Sequence, residues 1–161
     1  MSSSNPPAEP TLVRSVPPSF VMKLLNPLAT FLVSRGWTRV GDAVMILRWT
    51  GRRSGAAYAT PVSRMELDGR VFTTTTATYR HNFVGGGPAE LVVDGECRSV
   101  TGTMIDDPVA IGSYLRAFLD AEGFSGEGRA FGATITGDPT ADDIAAYVAE
   151  VGTVVIEFIP A

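Results

Sequence analysis

Apolar residues recur at helical spacing in four stretches, and between them the chain changes to short alternating runs. The first stripe is Phe20, Val21, Leu24 and Leu25, after Pro17 and Pro18. In the second, Asn26 can cap, Pro27 suits the first turn, Leu28, Phe31 and Leu32 share a face, and Gly36 can stop the helix. The clearest stripe is Ile111, Tyr114, Leu115, Phe118 and Leu119, introduced by Asp107 as cap and Pro108 as first residue and ended by Gly123. "GDPTADDIAAYVAE" repeats that Asp-Pro start for a fourth helix. From Ala43 the runs "AVMILRWT", "YATPVSRMEL", "RVFTTTTA", "AELVVD" and "CRSVTGTMI" predict strands, with "GTVVIEFI" as the last.

The punctuation between the strands is short. Asp68-Gly69 and Asp94-Gly95 suit two-residue hairpins, because both residue types tolerate positive φ, and Gly51 to Gly55 makes a longer turn. Strands joined by so few residues must be antiparallel. A meander curling toward a barrel is therefore expected, since closure removes exposed edges. "GFSGEGRAFG" reads as a glycine-rich loop.

Composition narrows the function. At 161 residues with 45% apolar and 19% charged residues, the chain can bury a core without disulfide or metal staples. Its net charge of -4 argues against a nucleic-acid partner, which requires a broad basic face. Cys97 is the only cysteine and reads as a buried strand hydrophobe, and His81 is the only histidine, so two-histidine and cysteine-cluster metal sites are excluded. The leader, residues 1–17, is polar and proline-rich without the pattern of a signal peptide, so disorder and a cytoplasmic location are expected. The run from Phe20 to Val33 is too short to span a bilayer; as an amphipathic face it allows at most weak contact with a membrane surface.

Two stretches could carry chemistry. "TGRRSG" places Arg52 and Arg53 on a turn flanked by glycines, where backbone amides and guanidinium forks suit a phosphate or carboxylate. An ordinary hairpin tip with solvated arginines is the plain alternative. "TTTTATYRHN" runs from Thr73 to Asn82. Alternation puts Thr74 and Thr76 on one face of its strand and Thr73 and Thr75 on the other, and the end carries an aromatic, a cation, an imidazole and an amide. Those threonines equally suit a plain β-branched surface, and a lone histidine is often structural.

Taken together, "TGRRSG", "TPV", the "DGR" hairpin, the asparagine before "GGG", "DDP" before the long helix and the terminal "VVIEF" resemble the deazaflavin-dependent nitroreductase family. The resemblance runs from Phe20 to the end of the chain and implies an α+β split β-barrel of about six antiparallel strands. N-terminal helices and two further helices would surround it, in one domain over 18–161. It also implies a reductase that transfers a hydride from reduced coenzyme F420 to a quinone, nitroaromatic or activated double bond, and a homodimer.

Carried over by position, Arg52, Arg53 and Ser54 would meet the cofactor's anionic tail. Thr60, Pro61 and Val62 would pass beside the deazaflavin, Thr74, Thr75, Thr76 and Ala77 would contact its ring, and Asn82 and Phe83 match an "N-L" segment. Tyr58, Ser63, Tyr79 and Arg80 would face the substrate, with His81 as proton donor and no metal. Tyr79, Arg80 and His81 replace tryptophans common in the family, so family substrates do not transfer. FMN, haem with His81 as axial ligand, or a non-redox site for a fatty acid or similar apolar metabolite are the alternatives.

Overall fold

The two Asp-Gly pairs turn the chain as their chemistry predicts. In the computed structural model, which describes residues 9–14, 44–124 and 126–161, Asp68 and Asp94 have φ of 52° and are followed by glycines at 76° and 80°. Each pair closes a two-residue hairpin, one joining β4 (Met65–Leu67) to β5 (Arg70–Thr75), the other β6 (Gly87–Val93) to β7 (Glu96–Ile105). The Gly51–Gly55 turn joins β2 (Val44–Thr50) to β3 (Ala57–Ser63) in a third antiparallel pair. Both expected N-terminal helices lie outside the described residues.

These hairpins do not stack in chain order. The last strand, β10 (Val154–Pro160), inserts between β7 and β5, giving the order β3-β2-β6-β7-β10-β5-β4 and replacing the expected simple meander. Val154, Val155 and Ile156 are all buried, as a strand covered on both faces requires. The two edge strands, β3 and β4, follow each other in the chain with only Arg64 between them. "YATPVSRMEL" is thus two strands and not one. In a flat sheet those edges would stand about 29 Å apart, yet two Cα steps reach at most about 7.6 Å. The sheet must therefore curl into a half-barrel. Among the described residues its edges share no ladder, so the seam stays open.

Curling creates two cores. Met45, Leu47, Leu91, Val100, Ile156 and Phe158 fill the concave side, and Phe83 plugs it from a 3₁₀ helix (Thr78–Phe83). The convex side of β5 and β10, through Phe72 and Val155, packs on α1 (Pro108–Ala121) and α2 (Ala141–Val151). Ile111, Leu115, Phe118 and Leu119 of α1 are buried as their spacing predicts. Each such side chain contributes about 1.5–3 kcal/mol of apolar burial. Asp107 caps α1 by accepting from the Ala110 amide at 3.1 Å.

Several expectations change. The fourth helix starts at Thr140 and not at Asp-Pro: its hydroxyl accepts from the Asp143 amide while the Asp143 carboxylate accepts from the Thr140 amide, a reciprocal cap. The glycine-rich loop contains a hairpin, β8 (Glu127–Ala130) and β9 (Ala133–Thr136), turned by Phe131 and Gly132 at positive φ. Part of the expected leader is ordered as β1 (Thr11–Arg14), which pairs antiparallel with β9 to complete a second, three-stranded sheet. The described residues therefore hold ten strands, more than the six expected. Cys97 is exposed, not buried. No helix among the described residues is long and apolar enough to cross a membrane.

Candidate functional site

Trp49 and Tyr58 face each other across the β2–β3 ladder, so their side chains share the concave face. Their rings stack at 5.4 Å with an 18° tilt. Tyr79 of the 3₁₀ helix lies against Trp49, centroids 5.0 Å apart, and Phe83 meets it edge-on at 6.5 Å. The indole Nε1 is buried and has no hydrogen-bond partner among the described residues. Trp49, Tyr58 and Tyr79 line a cleft of about 900 Å³ beside the β2–β3 turn.

The "TGRRSG" turn forms the rim. The Gly51 amide donates to the Ala56 carbonyl and the Gly55 amide to the Gly51 carbonyl, both at 2.9 Å. A Cβ on Gly51 would lie 2.5 Å from Ser54 Oγ and 2.9 Å from the Tyr58 ring, so only glycine lets the turn fold against that ring. Ser54 Oγ and Tyr58 Oη sit 3.1 Å apart and hold the ring in place.

The paired arginines divide. Arg52 donates from Nη1 to the Val84 carbonyl at 2.8 Å and from Nη2 to the Gly86 carbonyl at 2.6 Å. Its backbone amide donates to Asn82 Oδ1 at 2.9 Å, and Asn82 Nδ2 donates to the Tyr79 carbonyl at 2.8 Å. Arg52 and Asn82 thereby bolt the turn to the 3₁₀ helix. Arg53 makes no hydrogen bond or ion pair among the described residues and is exposed on the cleft lining, as is His81. No carboxylate occurs among the described residues of that lining. In a chain of net charge -4, the cleft is a local cationic site suited to an anion.

A smaller cleft of about 360 Å³ adjoins it, sharing Thr60 and Tyr79. The expected site residues distribute over the two. Arg52, Arg53, Ser54, Tyr58, His81 and Asn82 line the larger cleft, whereas Pro61, Val62, Ser63, Thr74, Thr75, Thr76 and Ala77 line the smaller one. Two lie in neither. Phe83 is fully buried in the concave core, and Arg80 donates to the Gly152 carbonyl at 2.6 Å, where its charge complements the C-terminal end of α2.

Burial pushes the Tyr79 phenol above the usual tyrosine range, with the Thr75 hydroxyl partly offsetting it. The phenol stays protonated near neutral pH and faces both clefts as a neutral donor.

Trp49, Gly51 and Thr78 also line the larger cleft, and Arg14, Phe131, Tyr147 and Thr153 the smaller. The glycines alone would have misplaced Trp49, because pairing Gly51 with Gly55 sets Ala57 opposite it, whereas the observed register pairs Gly51 with Ala56 and so brings Tyr58 there. Gly51 and Thr78 lie inside the two stretches that the sequence already marked, whereas Arg14, Phe131, Tyr147 and Thr153 come from distant segments and carry no local signal.

No protein-family profile matches the chain, and no curated protein matches it. Among solved structures, one named as an F420 reductase aligns with 81% of this chain and 91% of its own, at 16% identity and a TM-score of 0.38.

Proposed function

We propose that this protein is a reductase that holds reduced coenzyme F420 in the larger cleft and delivers its reducing equivalents to a small-molecule acceptor. The observation that carries the reading is a cleft with an aromatic wall, Trp49 between Tyr58 and Tyr79, in which the described residues supply no carboxylate and leave the Arg53 guanidinium at the rim without a partner. That arrangement fits a planar ring joined to an anionic tail. The "TGRRSG" and "TPV" resemblance points the same way.

In this reading Arg53 pairs with the tail, while Arg52 and Asn82 hold the turn in the geometry that presents Arg53. The Tyr58–Trp49–Tyr79 wall would pack against the ring and exclude water from it. When bound, the reduced deazaflavin supplies a hydride, the chemistry that no side chain here provides. Tyr79 keeps its proton on Oη and His81 stands at the rim as proton donor to the reduced product.

Titration with oxidised F420, followed by its fluorescence polarisation, tests the proposal, with FMN in a parallel titration. Saturable deazaflavin binding that FMN does not match supports it. Preferential FMN binding would reassign the cofactor, and binding of neither would remove the redox reading.

A further inference from the structure

The smaller cleft lies where the two sheets meet. The ends of β3 and β5 form one side; the β8–β9 turn, the end of α2 and the first residue beyond Gly152 form the other, with Arg14 of β1 at its mouth. Its volume of about 360 Å³ is at the low end for ligand pockets, the size for a single-ring compound.

Three features define what it would take. Among the described residues Arg14 is the only charged one lining it, so a cation meets repulsion and an anion meets a fork-shaped partner. Hydroxyls from Thr74, Thr75, Thr153 and Tyr147 offer neutral donors around that charge. Burial pushes the Tyr147 phenol up while the Arg14 charge pulls it back, so the guanidinium is felt inside the cleft and not only outside it. Among the described residues the Tyr147 hydroxyl has one partner, the Gly132 carbonyl at 3.4 Å, a long contact that a closer acceptor could replace.

The apolar side is equally specific. Phe131 is buried although its φ is +38°, a conformation that strains a bulky residue and that glycine or asparagine adopts more readily. The hairpin tolerates that strain and sets Phe131, which packs into the helix-side core, at the apolar wall of the cleft.

We propose that the smaller cleft binds a small monocarboxylate with a flat apolar body, its carboxylate at Arg14 and its ring against Phe131. Thr60 and Tyr79 are the common boundary with the larger cleft, so a compound seated there abuts whatever the larger cleft holds. Its role as the acceptor, and hence an acidic acceptor class, rests on the reductase reading; its binding does not.

Benzoate, benzyl alcohol and benzylamine test this by amide chemical-shift titration of the full chain without cofactor. Benzoate should shift the amides of Thr74, Thr75, Gly132 and Thr153, whereas benzylamine should not. Arg14→Gln should weaken benzoate about tenfold or more, the loss of one charge-assisted contact, and leave benzyl alcohol within twofold. Arg14→Lys should recover part of the loss. Equal binding of the amine, benzoate affinity unchanged in Arg14→Gln, or shifts confined to the Gly51–Gly55 turn overturns the proposal. Saturating F420 should leave benzoate affinity within about threefold; mutual exclusion would make the smaller cleft part of the cofactor site and also overturn it. Benzoate binding with no F420 binding keeps this site and removes the redox reading alone.

Discussion

Replacing Arg52 or Arg53 by alanine should produce opposite phenotypes although the residues are adjacent. Arg52 makes two charge-assisted bonds to carbonyls, at 2.8 and 2.6 Å, across more than 30 residues of chain. Such bonds contribute about 1.5–3 kcal/mol each when buried. These are solvent-exposed, which brings the expected loss in Arg52→Ala to about 1–3 kcal/mol for the pair. For a chain of this size that lowers Tm by roughly 2–12 °C. Arg53 has no partner among the described residues, so Arg53→Ala should change stability by less than about 0.5 kcal/mol. In the cofactor titration it should lose about 1–3 kcal/mol of affinity, a factor of roughly 5 to 150. Urea denaturation and F420 binding, measured on both variants, separate the roles. A stable Arg52→Ala, or an Arg53→Ala that unfolds as readily, would refute the division of the pair.

Gly112→Ala should destabilise the fold by about 1–3 kcal/mol even though alanine favours a helix by about 1 kcal/mol over glycine. Its Cβ would collide with the Ala141 carbonyl oxygen and come 2.9 Å from Ala145 Cβ, where α1 crosses α2; a stabilised variant in urea denaturation would contradict that packing. Burial, followed by the hydrogen bond that Tyr114 donates to Glu157 at 2.9 Å, pushes the Tyr114 phenol well above its ordinary range. A raised folded-state value means its stabilisation is complete below about pH 10 and is lost as pH rises beyond it. The stability gap between the native protein and Tyr114→Phe should therefore narrow between pH 10 and 11.5. A gap that stays constant over that range counts against the bond.

Local chemistry was legible wherever one short segment decides the outcome. Asp68-Gly69 and Asp94-Gly95 specify their hairpins because left-handed φ is cheap for those residues, and Asp107-Pro108 announces α1 because both act within one turn. The same logic misjudged Asp138-Pro139, since Thr140 with Asp143 offers a better cap two residues after Asp138. It also missed the Phe131-Gly132 turn, because phenylalanine is a poor residue for positive φ and only the surrounding sheet makes it adopt one. Cys97 was expected inside from its residue type alone, whereas its strand presents it to solvent.

By itself, the sequence determined the hairpins, the α1 stripe and the cationic turn, each set by residues within a dozen positions of one another, and its single histidine and single cysteine excluded two-histidine and cysteine-cluster metal chemistry. Tertiary structure decided the rest. The insertion of β10 between β7 and β5, the curl imposed by the single residue Arg64, the commitment of Arg52 to carbonyls 32 and 34 residues away, and the cleft shared by two sheets depend on which distant surfaces meet. Burial and loop closure set those meetings, and neither is encoded in any one segment.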